Sequence, residues 1–118
     1  MKTNNNISWT VDGKIIDKAK YYEAQVKITT ATYAEKGSLN HEWYVAKDGE
    51  TIHIYERYEN AETALKHLET WAKFADLFQE GATMDTFNVY GDLTPELEQA
   101  LSGATKLMNT EKMQISKY

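Results

Sequence analysis

The sequence predicts an α+β domain of the ferredoxin-like class, in which a βαββαβ chain forms a four-stranded antiparallel sheet with two helices on one face. Three observations predict this class: a hairpin pattern centred on Asp48 and Gly49, a helical pattern on each side of the hairpin, and a strand pattern beyond each helix. The chain has 118 residues without a repeat or a linker, so we expect residues 1–118 to form a single domain.

The first strand and helix are predicted near the N-terminus. Apolar and polar residues alternate over residues 7–11, which is the period of a half-buried strand. Asp12 and Gly13 follow as a predicted turn, with Asp12 as the N-cap of a helix over residues 14–34 that ends near Gly37. We expect the buried stripe of this helix to be Ile15, Ala19, Tyr22, Val26 and Tyr33.

The hairpin is the clearest local signal in the chain. Residues 39–47 and 50–58 are rich in β-forming side chains, and Asp48-Gly49 separates them. Asp-Gly is a preferred two-residue turn because both positions adopt positive φ, and such a turn fixes the register of its strands. Facing residues should then have numbers that sum to 97.

The pattern in the second half of the chain predicts two more helices and two more strands. Asn60 is the predicted N-cap of a helix over residues 61–80, whose apolar stripe is Ala64, Leu68, Trp71, Ala75 and Phe78. A strand is predicted over residues 84–90, and a short helix with proline at its first position over residues 95–102. Residues 104–118 are predicted to hold a last strand and a tail.

The predicted register sorts the hairpin into two faces. The more apolar face, which should lie against the helices, contains Leu39, His41, Trp43, Val45, Ile52, Ile54, Glu56 and Tyr58. The other face carries His53 among polar and aromatic side chains. A bare sheet face with aromatic side chains needs a cover, and a second copy of the chain provides one, so the sequence predicts a homodimer in which His53 is interfacial.

The register also predicts a candidate catalytic pair. His41 and Glu56 are cross-strand partners on the buried face, so their Cβ atoms should lie about 5 Å apart. Burying an ionisable group costs several kcal/mol unless the group is paired, and a histidine–carboxylate pair meets that demand and can accept a proton. A structural ion pair at the sheet edge is the alternative interpretation.

His67 and Trp71 extend the candidate site. They lie one helical turn apart and share a face of the second helix, with Trp71 expected in the core and His67 either at the rim or in the site. His41, Glu56 and His67 also match in type the two histidines and one carboxylate of some iron oxygenases. Nothing in their spacing requires an ion, so the sequence predicts no metal and the iron triad stays an alternative.

Composition and motifs exclude several functions. The net charge is -5, and the cations are scattered, which argues against a nucleic-acid partner. No apolar run approaches the roughly 18 residues of a membrane span, and no signal peptide is visible. The absence of cysteine excludes disulfides and fits a cytoplasmic protein. The sequence contains no nucleophile elbow, Walker loop, dinucleotide fingerprint or metalloprotease motif.

Several segments resemble one family. Residues 37–44 (GSLNHEWY) and 52–64 (IHIYERYENAETA), joined through the Asp-Gly turn, resemble the antibiotic biosynthesis monooxygenase superfamily, and most of all its small quinol-monooxygenase-like proteins. Residues 74–78 (FADLF) and 87–91 (FNVYG) match the same pattern. The resemblance extends over about residues 7–110.

The resemblance implies a dimeric α/β barrel, with a cavity between sheet and helices in each protomer. It implies that a small phenolic or quinol substrate is oxidised by dioxygen with no cofactor, after a base removes a phenolic proton. On this analogy His41 or Glu56 is the catalytic base. The substrate-binding residues would be Trp43, Ile54, Tyr58, His67, Trp71 and Phe87.

Two other functions stay open at this point. The same cavity suits a non-catalytic dimeric module that binds a small aromatic ligand. The superfamily also includes haem-degrading members, which resemblance places lower because they use an asparagine on the first strand and residues 7–11 contain none. Trp71 stands where the family pattern has a small residue or glycine, which implies a narrower cavity.

Overall fold

A computed structural model describes residues 2–110 and 115–116. Its strands are β1 (Lys2–Thr3), β2 (Ile7–Lys14), β3 (Ser38–Val45), β4 (Thr51–Tyr58), β5 (Thr86–Gly91), β6 (Lys106–Asn109) and β7 (Ile115–Ser116). Its helices are α1 (Lys18–Tyr33), α2 (Ala61–Gly81) and α3 (Pro95–Ala100).

The main sheet has five strands in the order β3-β4-β2-β5-β6. The first four pair antiparallel in the order of a ferredoxin-like βαββαβ fold, so the predicted fold class is confirmed. The fifth strand, β6, runs parallel to β5 because the chain crosses back through α3 before it. β1 and β7 pair separately. Parts of the predicted last strand and tail, residues 111–114 and 117–118, lie outside the described residues.

The predicted turn at Asp12 and Gly13 is wrong, because both residues lie within β2. Gly13 passes so close to Thr83 that a Cβ atom there would lie 2.0 Å from the Thr83 carbonyl oxygen, so this strand needs glycine for a close backbone approach. α1 therefore begins later than predicted. Its N-cap is Asp17, whose Oδ1 accepts a hydrogen bond from the backbone N–H of Lys20 at 3.1 Å.

The predicted buried stripe of α1 is wrong in phase. The buried residues of the helix are Tyr21, Ala24, Ile28 and Thr32. The predicted stripe residues within the helix are exposed instead: Ala19, Tyr22, Val26 and Tyr33. Ile15 is buried, but as an extended residue that bridges to Ala82. Because α1 carries apolar side chains on both faces, periodicity alone does not select the face that packs against the sheet and α2.

The predicted register of the hairpin is confirmed, although its turn differs. The pairs on the inner face are His41 with Glu56, Trp43 with Ile54 and Val45 with Ile52. The loop closes between Ala46 and Thr51 at 2.8 Å, and only Gly49 has a positive φ, of 73°. Asp48 instead accepts hydrogen bonds from the backbone N–H groups of Glu50 and Thr51. The loop is wider than a two-residue turn but has the same centre, so the pairing is unchanged.

A β-bulge at the start of β3 changes one inner-face assignment. The register shifts between Ser38, which pairs with Tyr58, and Asn40, which pairs with Arg57. Leu39 is the extra residue and is 48% exposed rather than buried. The bulge lies before His41, so His41 keeps its predicted partner.

α2 follows the sequence prediction closely. Asn60 caps it by accepting a backbone N–H at 2.9 Å, and Gly81 is its last residue. Its buried side includes the predicted Ala64 and Phe78, and also His67. The helix thus presents a histidine to the interior.

The core between sheet and helices consists of two apolar clusters. One contains Trp9, Tyr58, Ala64, Val89 and Leu97 among others, and the second contains Val11, Tyr21, Ile28, Ile54 and Phe78 among others. Phe87 packs against both clusters. No helix in the described part of the chain has the length and apolar character needed to cross a membrane.

Candidate active site

Glu56 lies at the centre of a buried polar network. Its side chain on β4 is 9% exposed. Its Oε1 atom lies 3.0 Å from Nε2 of His41 and 3.2 Å from Nε2 of His67, and it accepts a hydrogen bond from the hydroxyl of Tyr58 at 2.5 Å. None of these contacts uses the other carboxylate oxygen, Oε2. The sheet supplies His41, Glu56 and Tyr58, and α2 supplies His67, so the network joins the two layers.

His67 lies between two carboxylates. Its Nε2 faces Glu56, and its Nδ1 lies 2.9 Å from Oε1 of Glu35, which follows the end of α1. Burial by itself lowers the pKa of His67, but the two carboxylates outweigh burial and raise the pKa above its usual 6.5. The pKa of Glu35 is lowered, because hydrogen bonds from Thr70 and His67 outweigh the effect of burial. His67 therefore links the two glutamates, and both carboxylates favour its protonated form.

Glu56 stays ionised in spite of its burial. Burial by itself raises its pKa, but the contacts with His41 and His67 outweigh burial and hold the pKa well below its usual 4.5. Burial and the neighbouring Glu56 carboxylate raise the pKa of Tyr58, so its hydroxyl keeps its proton. With Glu35 and Glu56 ionised, these two carboxylates and His67 together carry a net negative charge whether or not His67 is protonated.

Trp43 selects the tautomer of His41. The indole N–H of Trp43 donates a hydrogen bond to Nδ1 of His41 at 2.6 Å. Since an indole N–H is only a donor, Nδ1 is the unprotonated nitrogen and the proton of the neutral ring lies on Nε2. This N–H lies 3.0 Å from Glu56 but off the line of a hydrogen bond, so it is buried without an aligned partner in the described part of the chain. His41 is thus oriented to donate through Nε2.

An apolar cavity of about 60 Å³ lies beside this network. The predicted site residues that line it are His41, Trp43, Ile54, Glu56, His67, Trp71 and Phe87. Tyr58, which was also predicted to bind substrate, is fully buried and instead donates to the Glu56 carboxylate. The fold thus places the predicted residues at one site, and their catalytic and binding roles stay predictions.

Sequence reasoning missed part of the site. Glu35 lies 32 positions from His67 and belongs to no periodic pattern that would indicate the contact. The other cavity residues that were not predicted are Trp9, Val11, Ile28, Leu68, Phe78 and Met84. The alternation in the first strand already placed Trp9 and Val11 on one face, and that signal was sufficient to find them. Ile28 depended on the phase of α1.

His41, Glu56 and His67 also meet the distance criterion for a metal site, because their nearest ligand atoms lie within 4.8 Å of one another. His67 suits a metal, since its Nδ1 is held by a carboxylate and its Nε2 faces the site. His41 does not. Coordination through Nε2 requires that nitrogen to be unprotonated, while the hydrogen bond from Trp43 requires the same of Nδ1. The residues present therefore fit a proton network better than the iron triad.

A second histidine–carboxylate pair lies on the opposite face of the sheet. Nδ1 of His53 is 2.6 Å from Oδ1 of Asp12, and the hydroxyl of Thr86 donates to Oδ2 of Asp12 at 3.1 Å. The side chains of His53 and Asp12 are 45% and 46% exposed. This outer pair is separate from the buried network.

Comparison with known proteins finds the same fold in solved structures of low sequence identity. No protein-family model and no curated protein matches the chain. MupZ from Pseudomonas fluorescens superimposes with a TM-score of 0.78 at 17% identity, over 98% of this chain and 93% of that one. SnoaB, a cofactor-independent oxygenase from Streptomyces nogalater, has a TM-score of 0.64 at 8% identity, over 72% of this chain and 90% of SnoaB.

A protein from Nitrosomonas europaea with a provisional antibiotic biosynthesis monooxygenase assignment gives a TM-score of 0.63 at 18% identity, over 80% of this chain and 97% of that one. Identities this low establish a shared fold, and the reaction has to be argued from the site. The chain has the fold of the antibiotic biosynthesis monooxygenase proteins, as its sequence resemblance predicts.

Proposed function

We propose that this protein is a cofactor-independent monooxygenase that oxidises a small phenolic or quinol substrate with dioxygen. The observation that carries the proposal is the buried network of His41, Glu56 and His67 beside an apolar cavity, in a fold shared with a cofactor-independent oxygenase. In this reaction the substrate supplies all the electrons. The protein has to accept a proton, orient the reactants and exclude water.

Glu56 is the proposed catalytic base. Its Oε1 already has three contacts, which leaves Oε2 for the phenolic hydroxyl of a substrate. Of the two bases that the sequence left open, the tautomer disfavours His41, because its Nε2 already carries a proton. The net negative charge of the network disfavours a preformed phenolate, so we expect the neutral phenol to bind. The lowered pKa of Glu56 makes proton transfer uphill, and reaction of the phenolate with dioxygen draws it to completion.

The proposed reaction converts one phenol and one dioxygen into one quinone and one water. The phenolate transfers an electron to dioxygen, and the two radicals combine to form a C–O bond. Glu56 returns its proton to the resulting peroxide. The ring carbon then loses its proton as the O–O bond breaks, and that proton and the departing hydroxide form water. The Nε2–H of His41 is the proposed hydrogen-bond donor to the departing oxygen.

Oxygen uptake with a panel of alkyl phenols and hydroquinones tests this function. We expect turnover by the wild-type chain, and a loss of about 10²–10⁴-fold in kcat/KM for Glu56→Gln, which is the usual contribution of a general base. His53→Gln on the outer face is the matched control and should stay within about twofold of wild type. Treatment with a chelator should leave the rate unchanged.

Three results would overturn the proposal. The first is the absence of oxygen uptake with every member of the panel. The second is turnover that survives in the double variant His41→Ala and Glu56→Gln, which would reject the mechanism. The third is activity that disappears with chelation and returns with iron, which would replace the proton network by the metal triad.

We also propose that a second copy of the chain covers the outer face of the sheet. This face has no helix over it in the described part of the chain, and it carries Tyr44, which is 51% exposed, with Tyr55 and Tyr90 partly exposed. Light scattering coupled to size exclusion should give the mass of a dimer. Tyr44→Lys with Tyr55→Lys should shift it towards the monomer, and a wild-type monomer at micromolar concentration would reject the dimer.

The apolar lining of the cavity, which includes Trp43, Trp71 and Phe87, favours a second candidate, a non-catalytic module that binds a small aromatic ligand. The cavity volume of about 60 Å³ is well below the roughly 150 Å³ of a protein cavity that holds benzene, so binding of a ring requires the cavity to widen. Saturable binding of a phenol without any oxygen uptake would identify this function. Haem fits the cavity still less, since sites for drug-sized ligands have about 300–1,000 Å³.

A further inference from the structure

A second concave site begins on the other side of His41. A groove of about 330 Å³ lies between α1 and the edge strand β3, and His41 lines both this groove and the apolar cavity. The groove has the size of a small-molecule site, about 300–1,000 Å³, whereas the cavity of about 60 Å³ does not. The two spaces thus differ in the size of molecule that each can hold.

The groove and the cavity also differ in chemistry. The groove is lined by polar side chains from both elements, including Thr29, Thr32, Ser38 and Asn40. The cavity beside it is lined mainly by aromatic and aliphatic side chains. Because dioxygen is small and apolar, the cavity suits dioxygen, and the groove suits an organic molecule that carries oxygen atoms.

Thr32 supplies the observation that points to a ligand. Thr32 lines the groove and is 3% exposed, and its hydroxyl is buried without a hydrogen-bond partner in the described part of the chain. A buried hydroxyl in a helix ordinarily donates to the carbonyl one turn earlier, so an unpaired one is unfavourable. The Nε2–H of His41 also lacks an aligned partner. The groove therefore has one unpaired polar group in its wall, the hydroxyl of Thr32, whereas the Nε2–H of His41 lies towards Glu56 on the cavity side.

We propose that the organic substrate binds in this groove as a phenol with an oxygen-bearing side chain, and that the apolar cavity takes dioxygen. The phenolic hydroxyl lies at His41, the side chain that separates the groove from Glu56, and the oxygen of the side chain pairs with Thr32. This assignment rests on the proposed oxygenase function for the identity of the second reactant. It makes Thr32 a residue that selects the substrate.

Binding of two matched probes to the full chain, measured without oxygen by quenching of tryptophan fluorescence, tests the assignment. The probes are 4-(3-hydroxypropyl)phenol and 4-butylphenol, which have the same length and differ in one terminal group. Thr32→Val keeps the shape of the side chain, so it should fold. It should weaken binding of the hydroxylated probe about tenfold, the usual effect of one hydrogen bond, and change the Kd of 4-butylphenol less than twofold.

Two further variants locate the bound ring. Thr29→Phe fills the groove and should weaken the binding of both probes at least tenfold. Leu68→Phe narrows the cavity and should leave both Kd values unchanged. The proposal is overturned if the hydroxylated probe does not bind at millimolar concentration, or if Thr32→Val changes the Kd values of both probes by the same factor. It is also overturned if Leu68→Phe, and not Thr29→Phe, abolishes binding of the probes. Since no turnover is measured, these binding results stand or fall separately from oxygen uptake.

Discussion

The main sheet carries one histidine–carboxylate pair on each face, and the two pairs differ in burial more than in distance. The outer pair, His53 and Asp12, is the closer at 2.6 Å, but its side chains are 45% and 46% exposed. The inner pair, His41 and Glu56, is 3.0 Å apart, with side chains 11% and 9% exposed. Water screens the outer pair, whereas the inner pair interacts in a medium of low polarity.

The difference shows that burial changes the chemistry that such a pair can perform. A buried carboxylate has to be compensated, and Glu56 obtains compensation from three partners on one oxygen. That arrangement holds charge beside an apolar cavity. The outer pair needs no such support because solvent compensates both groups.

The largest effect is expected from neutralising the two carboxylates separately. Glu56→Gln removes a buried charge that two histidines and one tyrosine contact, and we expect unfolding free energy to fall by about 3–5 kcal/mol. Asp12→Asn removes the exposed partner and should cost less than about 1 kcal/mol. Urea denaturation at pH 7 measures both. Equal losses in the two variants would mean that burial does not separate the pairs.

A smaller effect is expected from two buried tyrosines, one with a hydrogen-bond partner and one without. The hydroxyl of Tyr58 donates to Glu56, so Tyr58→Phe should cost about 1.5–3 kcal/mol, as for hydrogen bonds to charged groups. The hydroxyl of Tyr21 is buried without a partner in the described part of the chain, so Tyr21→Phe should be neutral or stabilising. Thermal unfolding ranks the two variants, and a loss for Tyr21→Phe equal to that of Tyr58→Phe would contradict the contact to Glu56.

The smallest predicted effect is a stability maximum in mildly acidic solution. The folded-state pKa of Glu56 lies below its usual 4.5, so its contribution is complete above pH 4.5 and is lost as the pH falls towards the lowered pKa. The folded-state pKa of His67 lies above its usual 6.5, so its contribution is complete below pH 6.5 and is lost as the pH rises through the raised pKa. Both contributions are complete between these two values.

Urea midpoints measured across the pH range test this maximum. His67→Gln should reduce the fall of the urea midpoint above pH 6.5, because this variant lacks the histidine whose pKa is raised by folding. Asp12→Asn is the control and should keep the wild-type shape. If the urea midpoint falls equally with rising pH in wild type and in His67→Gln, another group causes that fall.

The residues of the inner pair were predictable because local rules determine them. Alternation along residues 39–47 and 50–58 and the position of the turn decide which side chains face inward, and these rules act over a few residues. The cap at Asn60 and the end of α2 near Gly81 follow from equally local chemistry. Even the wrong turn type left the register intact, since the loop kept its centre between Asp48 and Gly49.

The face of α1 was not predictable from its pattern. Both Val26 and Ile28 are good core residues, yet Val26 is 63% exposed and Ile28 is 1% exposed. The helix begins after Asp17 because β2 continues through Gly13, which packs against Thr83 from a distant part of the chain. A contact of that range has no signal in a local window.

The sequence by itself determined the order of the elements, the hairpin register and the inward pairing of His41 with Glu56, because each depends on residues that are close in the chain. Only the tertiary structure decided that His67 reaches both Glu56 and Glu35 and that Trp43 orients His41. It also decided that the cavity is small and that a groove adjoins it. Burial, protonation and volume depend on the packing of α1, α2 and the sheet together, and that packing is a property of distant residues brought into contact.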